Sequence, residues 1–166
     1  MSNEVEILLV DDCPEDVELT IRALRRNKIA NEIAVAEDGP EALDFLFCRG
    51  SYQHRSPASP PKLVLLDLKL PKIGGLEVLR EMRGDPKTRT IPVVILTSSK
   101  EQKDLITGYD LGVNAFVQKP VDFVQFGEAI RQIGMFWMLI NQAPARAPAA
   151  EAGLPEKLPA SKAQGA

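Results

Sequence analysis

Asp67 ends the apolar run Leu63–Leu66 within the stretch KLVLLDLKLPKIGG, Lys62 to Gly75. A continuous apolar run reads as a strand buried on both faces of a parallel sheet. The carboxyl edge of such a sheet is where ligands bind. Other runs end in polar residues too: Val5–Val10 in Asp11-Asp12, Ile91–Leu96 in Thr97, and Asn114–Gln118 in Lys119. In a parallel sheet these ends share one edge, so residues far apart in sequence converge there. Crowded carboxylates raise one another's pKa unless a cation joins them. All-oxygen ligation with room for water suits Mg²⁺, which often shares its shell with a phosphate. The Lys119 ammonium and Thr97 hydroxyl suit phosphoryl oxygens, so the set as a whole fits phosphoryl transfer to the Asp67 carboxylate.

The elements between these ends must hold them in place. After Asp11-Asp12, Pro14 at a first-turn position and Glu15 and Asp16 beside it open a helix that closes on Arg25, Arg26 and Lys28. Its buried stripe is expected to be Val17, Ile21 and Leu24, with Glu15, Leu19 and Arg22 on another face. A short strand, Asn31–Glu37, leads through the turn Asp38-Gly39-Pro40 into a helix expected to bury Ala42, Leu43, Leu46 and Phe47 and to stop at Gly50. Ser51–Pro61 is polar and proline-rich, a surface loop that includes His54, expected to be solvated. A third helix buries Leu76, Leu79 and Met82 and cannot pass Pro86. Glu101–Leu111 is a fourth, with Gly112 beyond its end, and Asp122 caps a long last helix. Strand and helix alternate five times, which predicts an α/β fold: a doubly wound five-stranded parallel sheet with helices on both faces. One domain over residues 4–142 is expected, with the Ala/Pro-rich segment 143–166 a disordered tail.

Composition removes several classes. A net charge of −3 over 166 residues gives no general attraction to nucleic acid or to an anionic membrane. No segment approaches the ~18 consecutive apolar residues of a membrane span, and the amino terminus lacks signal-peptide character. Cys13 and Cys48 have no metal-ligand or disulfide spacing, so a cytoplasmic location is expected.

The set DD, LLDLKLP, LTS and QKP, in this order on these strand ends, closely resembles the receiver domain of two-component response regulators. The resemblance covers roughly residues 4 to 140. It implies the flavodoxin-like strand order 2-1-3-4-5 and makes Asp67 the acceptor of a phosphoryl group from a sensor histidine kinase. It implies Mg²⁺ held by Asp12 and Asp67, with Asp11 assisting through water and Lys69 contributing its backbone carbonyl. Thr97 and Lys119 would then bind phosphoryl oxygens, Phe116 would be the switch aromatic, and the Lys119–Pro120 bond would be cis. The polar loop, the RGDPKTRTIPVVILTSS passage and the FW-containing last helix look like single-domain regulators paired with phytochrome-type sensors. Phe116, where many members have tyrosine, forgoes a hydroxyl hydrogen bond, and Lys69 sets a bulky cation beside the phosphoryl site.

Two further surfaces follow. Glu15, Leu19 and Arg22 border the Asp67 edge and are expected to dock the kinase. The last helix carries more apolar residues than one stripe can bury, among them Phe136 and Trp137, which points to a homodimer through this helix. An aspartate-nucleophile phosphohydrolase is the enzymatic alternative. It would need a second carboxylate as proton donor two residues after Asp67, where this chain has Lys69.

Overall fold

The protein is described from a computed structural model that covers residues 4–30, 32–98, 101–119 and 122–142. The expected tail and the Lys119–Pro120 bond lie outside the described residues. Strands β1 (Ile7–Val10), β2 (Ile33–Ala36), β3 (Leu63–Leu66), β4 (Val93–Thr97) and β5 (Ala115–Gln118) alternate with five helices. These are α1 (Pro14–Arg26), α2 (Gly39–Leu46), α3 (Gly75–Gly84), α4 (Gln102–Asp110) and α5 (Phe123–Gly134). The sheet is parallel throughout, in the order β2-β1-β3-β4-β5. No helix among the described residues is long and apolar enough to cross a membrane.

Strands β1, β3 and β4 are buried on both faces, which is why they appear in the sequence as unbroken apolar runs. Alternate side chains divide between two cores. Leu8, Val10, Val64, Leu66, Val93 and Ile95 meet Phe45 of α2 and Leu79 and Met82 of α3. Ile7, Leu9, Leu63, Leu65, Val94 and Leu96 meet Leu24 of α1 and Phe126 and Ile130 of α5.

Local chemistry sets the helix boundaries. The Asp38 carboxylate accepts from the Glu41 amide at 2.8 Å and caps α2. Asp122 caps α5 by accepting from the Val124 and Gln125 amides, as expected from its type and position. The structure adds one residue to the expected face of α1 and shortens α2. In α1 the fully covered residues are Thr20 and Leu24, while Val17 and Ile21 are only half-buried beside Val35 of the edge strand β2. The stripe that faces the sheet therefore includes Thr20 as well as Val17, Ile21 and Leu24, and these three apolar residues all pack on the core shared with α5. Helix α2 ends at Leu46, because Cys48 and Gly50 both turn the chain at φ 56°.

Phe45 of α2 is buried in the core, and Phe47, just past the helix end, is half-buried against it. The Phe45 ring is covered by the Arg55 guanidinium, 3.5 Å from the ring centroid, and by the edge of Tyr52 at 5.1 Å. The polar loop is thus a lid on an aromatic side chain, with Arg55 also donating to the Phe45 carbonyl. His54 stays exposed, as expected.

Gly75 sets how close α3 comes to the site. A Cβ at Gly75 would lie 2.2 Å from the Asp67 carbonyl oxygen and 2.8 Å from Leu68 Cα, both backbone atoms that cannot swing aside. Its amide donates to the Leu68 carbonyl at 2.9 Å. Gly84, at the far end of the same helix, has nothing within 4 Å of such a Cβ. Gly75→Ala is therefore expected to cost about 3 kcal/mol by overpacking, whereas Gly84→Ala gains about 0.5 kcal/mol through the unfolded chain. Urea titration of the two variants checks the contrast, and equal midpoints would contradict it.

Candidate functional site

Register brings the strand ends together. Val10 of β1 lies beside Leu66 of β3, so the next residues, Asp11 and Asp67, are neighbours. Leu66 pairs with Ile95, and Thr97 pairs with Gln118, which carries Thr97 and Lys119 to the same edge. The backbone continues the pattern past the strands: the Asp67 amide donates to the Val10 carbonyl at 2.9 Å, and the Lys119 amide to the Thr97 carbonyl at 2.7 Å.

Both Asp67 oxygens are engaged. Oδ1 accepts from the Thr97 hydroxyl at 3.0 Å and from the Lys69 amide at 3.2 Å, while Oδ2 accepts from Lys119 Nζ at 3.0 Å. Asp67, Thr97 and Asp11 are buried. The Lys119 side chain is only 8% exposed and also donates to Asp11 Oδ2 at 2.7 Å and Asp16 Oδ2 at 2.8 Å. Burial alone would lower the Lys119 pKa, but these three hydrogen bonds outweigh it and hold it above its ordinary value. It therefore remains an ammonium at neutral and mildly alkaline pH. Burial raises the Asp11 pKa in spite of the Lys119 bond and the Cys13 amide, which donates to Asp11 Oδ1 at 3.0 Å.

Asp12 differs from its neighbour. It is exposed, and among the described residues its carboxylate has no hydrogen-bond or ion-pair partner. One oxygen from each of Asp11, Asp12 and Asp67 nevertheless lies within 4.8 Å of the other two. Three hard oxygens at that spacing, one of them unsatisfied, fit a small divalent cation that keeps part of its water.

The other expected residues fall around this pocket. Lys69 is exposed at its mouth, with its amide turned to Asp67. Phe116 is half-buried against the core on the α2–α3 side, and its ring edge is 3.5 Å from where a Cβ on Gly108 of α4 would lie. Leu19 and Arg22 line a groove of about 330 Å³ between α1 and α5, together with Val124 and Arg131. Glu15 is not among its lining residues and accepts instead from the Cys13 thiol. Phe136 stands 48% exposed, whereas Trp137 is half-buried against the core shared by α1 and α5.

Asp16 is the site residue that motif reading misses, because as a first-turn acid it needs no further explanation than the helix dipole. A signal was present: Asp16, Thr20 and Leu24 recur every four residues, so the carboxylate shares the face that α1 buries.

The comparisons bear on this geometry. The family profile for the response regulator receiver domain matches residues 7–131. Response regulator Rcp1 of Synechocystis is 38% identical over 139 residues, covering 84% of this chain and 92% of Rcp1. The Mn²⁺-bound form of Rcp1 superposes with a TM-score of 0.79 at 36% identity, covering 85% and 99% of the two chains. The phosphorylated cyanobacterial phytochrome response regulator RcpA gives 0.80 at 36% identity, over 86% of this chain and 99% of that one. The bacteriophytochrome response regulator AtBRR is 55% identical, with a TM-score of 0.66, over 85% of this chain and 100% of that one.

The unsatisfied charge of Asp12 sets an expected outcome. Without divalent metal, Asp12→Asn should raise Tm by about 2–4 °C, the shift that roughly 1 kcal/mol of relieved repulsion makes in a chain of this size. The same variant should lose the thermal stabilisation that Mn²⁺ or Mg²⁺ gives the parent protein. Differential scanning calorimetry with and without the ion checks both, and retained metal stabilisation would take Asp12 out of the ligand set.

Proposed function

The chain belongs to the response regulator receiver family, and on that premise we propose that it is a phosphorylation switch whose phosphoacceptor is Asp67. The observation that carries the reading is the double engagement of Asp67, with the Thr97 hydroxyl on one oxygen and the Lys119 ammonium on the other.

The donor is a phosphohistidine on a sensor kinase. An Asp67 oxygen attacks phosphorus, the P–N bond breaks, and its electron pair leaves with the imidazole. The product is an acyl phosphate. Lys119 offsets the charge gathered on the phosphoryl oxygens, and Thr97 is placed to donate to one of them once the new bond forms. Asp11, Asp12 and Asp67, with the Lys69 carbonyl, are the residues that would hold Mg²⁺. When bound, that ion neutralises phosphoryl charge and orients the incoming group. Asp67 is the nucleophile. The exposed Lys69 crowds the path of the water that would hydrolyse the product, and it supplies no carboxylate for the proton donor a phosphohydrolase needs.

The kinase docks on α1 and α5. Leu19, Arg22 and the exposed Val124 offer an apolar floor with charged flanks, and Glu15 extends this surface toward the pocket. Likeness to a phytochrome response regulator and a bacteriophytochrome response regulator supports a photoreceptor kinase as the donor. The signal is cytoplasmic, without nucleic-acid or membrane contact, and leaves through Thr97, Phe116 and self-association.

The dimer face is the end of the last helix. There α5 runs on as six residues of π-helix, Met135–Ile140, in which Met135, Phe136, Leu139 and Ile140 are exposed. Trp137 sits at its inner margin and touches Phe136 edge-on at 5.1 Å.

Two measurements test the reading. Incubation with acetyl phosphate and Mg²⁺ should add one phosphoryl group to the wild type and none to Asp67→Asn by intact mass. An equal adduct on both would move the acceptor elsewhere. In sedimentation, Phe136→Glu combined with Leu139→Glu should convert a dimer into a monomer with little change in Tm, since both side chains face solvent. An unchanged dimer mass would remove this helix from the interface.

A further inference from the structure

Lys119 commits its ammonium to three carboxylates, and only two of them belong to strand ends. Asp11 and Asp67 follow β1 and β3, whereas Asp16 comes from the first turn of α1. Its side chain is 31% exposed, against 3% for Asp11 and 9% for Asp67, so it is the member of the set with ready access to water. The helix N-terminus does not explain its placement. Glu15 serves the dipole equally well and remains exposed. The turn that presents Asp16 is also fastened: Thr20, fully buried, donates its hydroxyl to the Asp16 carbonyl at 2.7 Å.

We propose that Asp16 is a positioning residue for Lys119, holding the ammonium over the reacting oxygen of Asp67. The inference rests on Asp67 being the phosphoacceptor. Asp11 and Asp67 have competing obligations, one toward a divalent cation and the other toward phosphorus. As either carboxylate is drawn to its new partner, its hold on Lys119 weakens. Asp16 has no such obligation, so its charge-assisted hydrogen bond persists throughout the transfer. During that step one P–O bond forms at Asp67 as the donor's bond to phosphorus breaks, and the electron pair leaves with the donor. Lys119 moves no proton; one N–H turns from the carboxylate to a phosphoryl oxygen. Without Asp16 the ammonium leans toward Asp11 and must be drawn back before each transfer.

A double-mutant cycle on the full chain tests this, using Asp16→Ala, Lys119→Ala and the pair. With saturating acetyl phosphate and Mn²⁺, Asp16→Ala should slow phosphorylation about tenfold, the factor that about 1.4 kcal/mol makes. In the Lys119→Ala background it should slow it no further. Metal-free thermal unfolding gives a second readout. Asp16→Ala should lower Tm when Lys119 is present and raise it when Lys119 is absent, because the carboxylate then has only like charges for neighbours. The amide of Asp16→Asn keeps an acceptor in place and should restore most of the rate. Equal slowing by Asp16→Ala in both backgrounds, or Tm shifts that simply add, would overturn the inference and leave Asp16 an ordinary helix residue. If the wild type itself takes up no phosphoryl group, the reading of Asp67 fails instead, and the two failures are distinguishable.

Discussion

A parallel sheet that ends its strands in acid brings like charges together at one edge, and the rest of this structure depends on how that repulsion is met. Asp11, Asp16 and Asp67 are each hydrogen-bonded to one nearly buried ammonium. An isolated ammonium at that depth would pay several kcal/mol for lost hydration, and its three carboxylates would repel one another without it. Each side makes the other tolerable. Asp12, left outside the arrangement, supplies the excess negative charge that attracts a cation. The pocket is therefore balanced well enough to fold and unbalanced enough to bind.

Such a balance needs a scaffold that cannot relax around it. The strand register places Asp11 and Asp67 side by side, and the backbone bonds from Asp67 to Val10 and from Lys119 to Thr97 extend the sheet into the site itself. From below, the α3 backbone presses against the Asp67–Leu68 peptide at a distance only glycine permits. Farther off, Arg83 on α3 donates to the carbonyls of Arg89, Ile91 and Gly112 and to the Asn114 side chain. That one side chain ties the entry of β4 to the entry of β5. The site is rigid where charge must be held, and its one well-exposed acid lies where a ligand enters.

What could be read in advance was whatever a period or a strand end reveals. Runs buried on both faces announced β1, β3 and β4, and their polar successors announced Asp11, Asp12, Asp67 and Thr97. Lys119 followed from the same logic, the turn at Asp38 and the cap at Asp122 from residue type. The misses have a common cause: each depends on a tertiary partner that local spacing does not show. Thr20, whose hydroxyl bonds back to the Asp16 carbonyl, joins the buried face of α1 beside Val17 and Ile21. Phe45 joins the buried side of α2, where Arg55, ten residues on, covers its ring. Asp16 looked like a helix-dipole residue because its partner lies 103 positions away.

On the proposed reading, the same geometry offers a route from an event at Asp67 to the surface. Thr97 is the last residue of β4, a few residues ahead of α4, and Lys119 follows β5 and precedes the Asp122 cap of α5. A new group on Asp67 has to be met by the Thr97 hydroxyl or the Lys119 ammonium, since these already hold its two oxygens. On the proposed reading, either response acts at the root of a helix. Phe116, on β5 opposite Ile95 and two residues before the partner of Thr97, packs against α4 where Gly108 leaves room for its ring. Helix α4 exposes Ile106 and Tyr109, and the π-helical end of α5 exposes Phe136 and Leu139. A carboxylate chemistry confined to one sheet edge is thus joined, through two side chains and the strands that carry them, to the apolar surfaces best suited to meet a second molecule.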